Sequence, residues 1–83
     1  MYEVYIVECA DGTLYTGITN ALERRIEEHN SSDKGAKYTR SRRPVKLVYQ
    51  EKHSSRSSAS KREYKIKKMS RGEKKHLIFL SFN

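Results

Sequence analysis

The chain has 83 residues, of which 18 are basic, 10 are acidic and 35% are hydrophobic. A chain of this length forms one small domain, so we expect a single domain over residues 1–83 and no buried site for several cofactors. Its longest wholly apolar run, residues 77–80, is far shorter than the ~20 residues of a membrane span. Met1 leads directly into a strand-like segment rather than a signal peptide, so we expect a soluble, untargeted protein.

Charge is divided unevenly along the chain, whose net charge is +8. Residues 1–36 carry 3 basic and 7 acidic side chains, whereas residues 37–83 carry 15 and 3. This asymmetry favours a polyanionic partner, above all nucleic acid, over a merely solvated lysine surface. An anionic membrane is a weaker candidate, because the basic stretches lack the aromatic-aliphatic face of an interfacial helix.

Two alternating segments rich in Val, Ile and Tyr, residues 2–9 and 13–19, predict a β-hairpin. A two-residue Asp-Gly turn would place Tyr5 and Tyr15 on opposite faces. A three-residue loop with its glycine in the left-handed conformation pairs Tyr5 with Gly17 and puts both tyrosines on one face. We favour this second register because its opposite face is a continuous core surface. That surface consists of Val4, Ile6, Leu14 and Ile18.

The rest of the chain predicts helices around one more strand. Asn20 and Glu23 form an N-cap and a capping-box acid, and Ser70 and Glu73 form a second such pair. The predicted elements are a helix over 21–30, a loop over 31–44, a strand over 45–52, a helix over 54–69 and a helix after Ser70 anchored by Leu77, Phe79 and Leu80. The order ββαβαα predicts an α+β domain, with helices packed against a three-stranded sheet. Cys9 has no disulfide partner, which fits a reducing cytoplasm, and is expected in the core.

Glu63 lies on the apolar stripe of the second predicted helix. At ~100° per residue, Ala59, Glu63 and Ile66 fall within about 60° of one another. Burying a carboxylate costs several kcal/mol unless a cation or a metal pairs with it. Glu63 is therefore either a metal ligand or a helix-edge glutamate paired with Lys67, and helical phase alone favours the second interpretation.

Arg25 borders the apolar stripe of the first helix, which ends at His29. Its planar fork of donors suits phosphate oxygens, although a pairing with Glu28 or Glu27 is the simpler interpretation. A single histidine at the end of such a stripe is more often packed and hydrogen-bonded than a ligand or a base. The sequence has no zinc-ligand spacing, no glycine-rich phosphate loop and no nucleophile motif.

Taken together, three segments resemble the GIY-YIG nuclease domain of homing endonucleases, of the C subunit of bacterial excision repair and of structure-specific nucleases. They are Glu-Val-Tyr at 3–5, Tyr-Thr-Gly at 15–17 and Leu-Glu-Arg-Arg-Ile-Glu-Glu-His at 22–29. The segment Gly-Ala-Lys-Tyr-Thr-Arg at 35–40, followed by Arg-Arg-Pro and Leu-Val-Tyr, resembles the small stand-alone bacterial group of that family. The resemblance covers roughly residues 2–75 and implies a three-stranded antiparallel sheet flanked by helices.

The resemblance implies metal-assisted phosphodiester hydrolysis and a role for six residues. They are Tyr5 and Tyr15 of the two motifs, Gly17 of the second motif, the catalytic Arg25, His29 one helical turn later, and Glu63. Glu63 would bind one Mg²⁺ or Mn²⁺, and Arg25 would neutralise charge on the phosphate. Either tyrosine would activate water, after its pKa of ~10 had been lowered by Arg25, His29 or the metal.

Three departures from the family pattern accompany this resemblance. Glu3 replaces the first glycine of GIY and Thr16 replaces the isoleucine of YIG, and neither position supplies a tyrosine hydroxyl. Downstream of Glu63, nothing before the terminal Asn83 matches the asparagine of the homing and repair members. We therefore expect a weaker site or another residue in that role.

We expect a divalent-metal-dependent DNA endonuclease of repair or recombination that acts in the cytoplasm. The basic loop and the second helix would hold the nucleic-acid backbone without reading sequence, so a targeting protein is one source of specificity. The residues expected to bind nucleic acid are Gly17, Lys37, Tyr38, Arg40, Arg42, Arg43, Lys61 and Arg62. The alternatives are a binding module whose catalysis has decayed and a protein-interaction domain with a basic face; DNA or RNA as substrate and the oligomeric state stay open.

Overall fold

Three strands and four helices make up the computed structural model, which describes residues 1–31 and 33–81. The elements are β1 (Tyr2–Glu8), β2 (Leu14–Thr19), α1 (Leu22–Ser31), α2 (Lys37–Arg40), β3 (Lys46–His53), α3 (Arg56–Lys67) and α4 (Arg71–Leu80). The strands form an antiparallel sheet in the order β2-β1-β3, which confirms the predicted α+β class. Asn83 lies outside the described residues. Within them, no helix has the length and apolar character needed to span a membrane.

The β1–β2 hairpin has the register of the three-residue loop. Gly12 has a φ of 84°, in the left-handed region, and its amide donates to the Cys9 carbonyl at 2.9 Å. The Cys9 amide donates to the Thr13 carbonyl at 2.8 Å and closes the loop. Tyr5 is consequently opposite Gly17, and Val7 is opposite Tyr15, as predicted.

The helices depart from the predicted bounds in local ways. The predicted helix over 21–30 lies one residue further along, at Leu22–Ser31, and the Thr19 hydroxyl accepts the Ala21 amide at 3.0 Å just before it. The predicted loop over 31–44 contains the single-turn helix α2. At α3 the Ser55 hydroxyl accepts the Ser58 amide, so the helix begins two residues later than predicted. The capping box of α4 is confirmed.

The sheet buries a different core on each face. On one face, Val4 and Ile6 are fully buried against Ala59 and Ile66 of α3. On the other, Tyr5 packs with residues from β1, β2, β3 and α1. The buried members of this second core are Tyr5, Val7, Cys9 and Val45.

Two of the predicted α4 anchors are wrong. Phe79 and Leu80 are 64% and 52% exposed, so neither side chain anchors α4 in the core. Leu77 does pack against the first core, and Ile78 joins it there. The helix therefore contacts the sheet through one narrow stripe and leaves apolar side chains in solvent.

Candidate active site

Tyr5 and Gly17 form the close contact on which the site is built. The Tyr5 side chain is 1% exposed and crosses over Gly17 of the neighbouring strand. A Cβ at position 17 would lie 2.6 Å from the Tyr5 hydroxyl oxygen and 2.7 Å from its Cζ. Only glycine leaves room for the tyrosine in this rotamer, so the backbone of β2 fixes where the hydroxyl points.

The Tyr5 hydroxyl forms a hydrogen bond with His29. Its ring is fully buried, with Nε2 2.7 Å from Tyr5 Oη and Nδ1 2.9 Å from Thr39 Oγ1. The Thr39 hydroxyl donates to the Ala36 carbonyl at 2.9 Å, so its oxygen is left to accept a proton from Nδ1. This network assigns the Nδ1–H tautomer and makes Nε2 the acceptor for Tyr5. The Ala36 amide, 3.4 Å from Nδ1, is too distant to compete.

Burial moves the pKa values of both partners. It raises the pKa of Tyr5 to about 12, which the nearby Arg25 guanidinium opposes only in part. Burial also lowers the pKa of His29 to about 4, and the positive charge of Arg25 acts in the same direction. The expectation of a lowered tyrosine pKa is therefore wrong for Tyr5, because loss of hydration outweighs the cation. His29 is neutral at pH 7 and accepts the Tyr5 hydrogen bond at Nε2.

Arg25 is held at the edge of this network by α1 and the following loop. Its Nη1 donates to Glu28 Oε1 at 3.0 Å and to the Lys34 carbonyl at 2.8 Å. The predicted pairing with Glu28 is thus confirmed, and the side chain is 26% exposed. Since the same guanidinium acts on the pKa values of Tyr5 and His29, it lies within electrostatic range of both.

Glu63 approaches the site from α3. Its side chain is 22% exposed, and its Oε2 lies 3.2 Å from Lys67 Nζ, so the predicted helix-edge pair is present. Its negative charge contributes to the raised pKa of Tyr5, which places the carboxylate in electrostatic range of that hydroxyl. Among the described residues, no group of three or more His, Cys, Asp or Glu side chains is arranged to hold a metal ion.

A second network fixes α3 against β3. Glu51 on β3 accepts from His53 Nε2 at 2.8 Å, from Arg62 Nε at 2.9 Å and from the Tyr49 hydroxyl. His53 Nδ1 is 2.7 Å from the hydroxyl of Ser58 on α3. Two positions on α3 are therefore tied to one strand, and the helix that carries Glu63 is fixed in rotation. Sequence reasoning did not find Glu51, because its partners are brought together only by the fold.

An aromatic row leads from the network to the surface. The Tyr15 ring meets the His29 ring edge-on at 5.5 Å and stacks on Tyr38 of α2 at 5.9 Å. The Arg42 guanidinium lies 4.0 Å from the Tyr38 centroid and is paired with Asp11 at 3.1 Å. Tyr38 is 39% exposed. The row therefore presents an aromatic ring and a cation beside the buried hydroxyl.

The remaining predicted contacts with nucleic acid divide into two groups. Lys37 and Lys61 are exposed, as is Arg40, which donates to the Asp33 carbonyl at 2.6 Å. Arg43 and Arg62 are partly buried instead. Arg43 Nε donates to the His29 carbonyl at 2.5 Å, and Arg62 pairs with Glu51 as described above. The Arg43 guanidinium therefore holds the end of α1, whereas that of Arg62 ties the middle of α3 to β3.

Thr39 is the site residue that sequence reasoning missed. It is fully buried, and its hydroxyl is hydrogen-bonded to Nδ1 of His29, ten residues away along the chain. The sequence places it in a polar segment with no periodic pattern. The one available signal was its position inside the Gly-Ala-Lys-Tyr-Thr-Arg segment that carried the family resemblance.

Known proteins resemble this chain in sequence and in fold. The GIY-YIG catalytic domain matches residues 1–76. The chain belongs to the GIY-YIG family. That family is one of nucleases, and membership confirms the resemblance drawn from the motifs.

Within the GIY-YIG family, the chain is similar to small proteins named UPF0213. One from Desulfotalea psychrophila is 68% identical over 75 residues, which are 90% of this chain and 68% of that protein. One from Syntrophus aciditrophicus is 63% identical over 75 residues, with 90% and 86% covered. Another, from Halobacterium salinarum, is 53% identical over 78 residues, with 94% and 100% covered. These names state no activity.

Two solved structures share the fold. The solution NMR structure of a UPF0213 protein from Bacillus halodurans has 47% identity and a TM-score of 0.62, and the match covers 96% of this chain and 85% of that one. The solution NMR structure of a protein from E. faecalis has 38% identity and a TM-score of 0.63, with 99% and 88% covered. The sheet and its helices are thus shared by GIY-YIG relatives.

Proposed function

We propose that this GIY-YIG chain is a divalent-metal-dependent endonuclease that hydrolyses phosphodiester bonds in DNA. The observation that carries the proposal is the hydrogen bond from Tyr5 to the buried, neutral His29, with Tyr15 in contact with the same ring and Arg25 beside it. The buried Tyr5–His29 pair lies beside an aromatic and positively charged surface, and such a surface attracts an anionic substrate such as a phosphodiester. We further propose that the protein is a single domain, that it is cytoplasmic and that it acts in repair or recombination.

The donor set fits one hard divalent cation. Mg²⁺ and Mn²⁺ favour carboxylate and water oxygens, and Mg²⁺ commonly uses only one or two carboxylates together with substrate phosphate oxygens. Glu63 provides one such carboxylate, and the absence of a larger acidic group among the described residues agrees with a substrate-completed site. When bound there, the cation would supply Lewis-acid polarisation of a phosphate oxygen.

Tyr5 and His29 are arranged to move one proton. The Tyr5 oxygen can take a proton from an attacking water while its own proton passes to His29 Nε2, 2.7 Å away. This relay needs no free tyrosinate. It does need His29 to become more basic than in the free protein, which the negative charge of a bound phosphodiester favours by offsetting the positive charge of Arg25. Thr39 keeps Nδ1 as the donor and Nε2 as the acceptor. Tyr15, whose ring contacts the same imidazole, orients the water.

Arg25 balances the charge that grows on the phosphate as water attacks. Its guanidinium is partly exposed and already lies beside the Tyr5–His29 pair, so a bound phosphodiester can share it with Glu28. The exposed Lys37, Arg40 and the stacked Tyr38–Arg42 pair hold the adjacent backbone. Such contacts bind phosphate and bases without reading sequence.

A nicking assay on supercoiled, linear and branched DNA tests the proposal, with Mg²⁺, Mn²⁺ or EDTA. Glu63→Gln and Arg25→Ala are each expected to lower the cleavage rate more than ~100-fold with the fold intact. Glu27→Gln removes one exposed carboxylate of α1 and is the matched control, expected to keep the wild-type rate. Equal cleavage by wild type and both site variants would contradict the assignment.

The second candidate is a nucleic-acid-binding module with little catalysis. The ion pairs favour it, because Glu63 is already paired with Lys67 and Arg25 with Glu28. Such a module binds DNA with an affinity that falls steeply with salt but responds little to EDTA. Binding without metal-dependent cleavage of any DNA shape would favour this candidate over the nuclease.

A further inference from the structure

The solvent-facing side of α3 carries a basic and aromatic surface that the proposed reaction does not use. It consists of Lys61, Tyr64, Lys65 and Lys68, all of which are exposed. Tyr64 is 60% exposed and lies among these lysines. An exposed aromatic ring among basic side chains is a candidate contact for the bases of a nucleic acid.

Helix geometry separates this surface from the site. At about 100° per residue, Tyr64, Lys61, Lys65 and Lys68 fall within an arc of about 100°. By the same arithmetic, these four residues are rotated about 100–200° around the helix axis from Glu63, which lies within electrostatic range of the Tyr5 hydroxyl. The surface is therefore a second one, on the outer side of the helix that carries Glu63.

The ring of Tyr64 is held in place by its neighbour. Lys68 Nζ lies 4.5 Å from the Tyr64 centroid, one helical turn further along, so the ring and the ammonium are already side by side. The helix residues that share this arc include no carboxylate, and Glu63 is paired with Lys67 instead. An anionic ligand would meet three lysines with no acidic side chain to repel it.

This combination selects one class of partner. Lysines attract any polyanion, but an exposed planar ring among them adds affinity only where the partner presents unpaired bases that can stack. The distance along the helix from Lys61 to Lys68 is about 10 Å, the axial length of about three stacked nucleotides. Double-stranded nucleic acid keeps its bases out of reach of such a ring.

We propose that this outer face of α3 binds single-stranded nucleic acid, with one base stacked on Tyr64 and the flanking phosphates on Lys61, Lys65 and Lys68. The inference rests on the proposed function, because it takes nucleic acid as the substrate. It extends that function, because the outer face of α3 would bind an unpaired strand at a distance from the phosphodiester that reacts. Substrates with a duplex next to a single strand can then engage both surfaces.

Fluorescence anisotropy with a labelled 12-nucleotide oligothymidylate in EDTA tests this, since binding is then read without cleavage. Tyr64→Leu is expected to raise Kd about tenfold, and Tyr64→Phe, which keeps the ring, to change it less than about twofold. Replacing Lys61 and Lys68 by Gln is expected to reduce the slope of log K against log salt by about 1.4. The matched control replaces Lys46 and Lys52, which are exposed on β3, by Gln. This double variant is expected to change Kd less than the Lys61 and Lys68 variant does and to leave the cleavage rate unchanged.

The outcomes separate this inference from the proposed nuclease. Equal oligothymidylate binding by Tyr64→Leu and wild type, or an equal loss in the β3 control, overturns the single-strand surface whatever the enzyme cleaves. Tyr64-dependent binding of vesicles with anionic lipid, without such binding of the oligonucleotide, overturns it in favour of a membrane. Tyr64-dependent oligonucleotide binding supports it, and absence of metal-dependent cleavage by the same wild-type protein then counts against the nuclease alone.

Discussion

The two faces of the sheet reach the same degree of burial by different means. The face under α3 is closed by aliphatic side chains such as Val4 and Ile66, which need only shape and volume. The face under α1 buries Tyr5, His29 and Thr39, each of which needs a partner at hydrogen-bonding distance. An apolar face tolerates hydrophobic substitutions that conserve volume. In a buried polar network, a substitution leaves another polar group without its partner. The free energy of unfolding is therefore most sensitive to substitution on the polar face, where the reaction is proposed.

The largest expected effect is the acid sensitivity of the polar face. The pKa of His29 is about 4 in the folded chain, against an ordinary value of 6.5. Below pH 6.5 the unfolded chain binds a proton that the folded chain does not bind until about pH 4. The free energy of unfolding is thus fully present above pH 6.5 and falls as the pH drops, by about 3 kcal/mol in total.

Urea unfolding followed by circular dichroism between pH 7 and pH 5 measures the first part of this fall, about 2 kcal/mol. His29→Gln removes the titrating group, so its free energy of unfolding should be nearly flat over that range, although lower at pH 7. His76→Gln, at an exposed position of α4, keeps the wild-type slope and is the control. A His29→Gln protein with the full wild-type slope would show that another group is responsible.

A methyl group at Gly17 tests the same face by steric means. The new Cβ would lie 2.6 Å from the Tyr5 hydroxyl, and the nearest strand backbone cannot move away, so Tyr5 must leave its rotamer. We expect Gly17→Ala to lower the free energy of unfolding by about 1–3 kcal/mol. It should also lower cleavage far more than that loss of folded protein explains, because the Tyr5–His29 bond is broken.

Gly72→Ala is the matched control for this substitution. The nearest atom to a Cβ at position 72 is 4.0 Å away, in the first turn of α4. Alanine there should raise the free energy of unfolding by about 0.5–1 kcal/mol, since it is the better helix former. If both variants had the same stability, the contact between Tyr5 and Gly17 would not be as close as described.

The difference between the faces also explains what the sequence could predict. Alternation and turn length predicted the hairpin register, because both are local properties of residues 2–19. The capping box of α4 was predictable for the same reason. The aliphatic core followed from the same pattern, apart from Phe79 and Leu80, where helical phase alone did not show how little of α4 touches the sheet.

The polar face could be predicted only in its parts. The family motifs indicated Tyr5 and His29, but the partner of each is set by the path of the chain between them. Thr39 is ten residues from His29 and gives no periodic signal. The direction of the Tyr5 pKa depends on how far burial outweighs Arg25, which no sequence pattern contains.

A smaller effect is expected at the border of the apolar face, where Glu51 ties α3 to β3. The pKa of its carboxyl is lowered, because hydrogen bonds from Tyr49, His53 and Arg62 outweigh the opposing effect of burial. Glu51→Gln replaces one acceptor oxygen by a donor that faces these groups. We expect the free energy of unfolding to fall by about 1.5 kcal/mol, the low end for hydrogen bonds to a charged group.

Metal titration of cleavage shows whether that tie also positions Glu63. If α3 rotates freely in Glu51→Gln, the metal concentration for half-maximal rate should rise, whereas a purely structural loss lowers only the amount of folded protein. Glu51→Asp keeps the charge and should restore part of the effect. An unchanged metal requirement in a destabilised Glu51→Gln protein would limit Glu51 to stability.

The smallest effect is expected at Thr16, a buried polar residue on the apolar face. Thr16 is opposite Ile6 and 2% exposed, and its hydroxyl has no hydrogen-bond partner among the described residues. Thr16→Val removes the unpaired hydroxyl and keeps the branched shape that strands favour, so the free energy of unfolding should rise by about 1 kcal/mol. Thr16→Ser, which keeps the hydroxyl and loses the methyl, should lower it. A loss of stability in Thr16→Val would mean that the hydroxyl binds a partner such as an ordered water, and the two faces would then differ in degree rather than in kind.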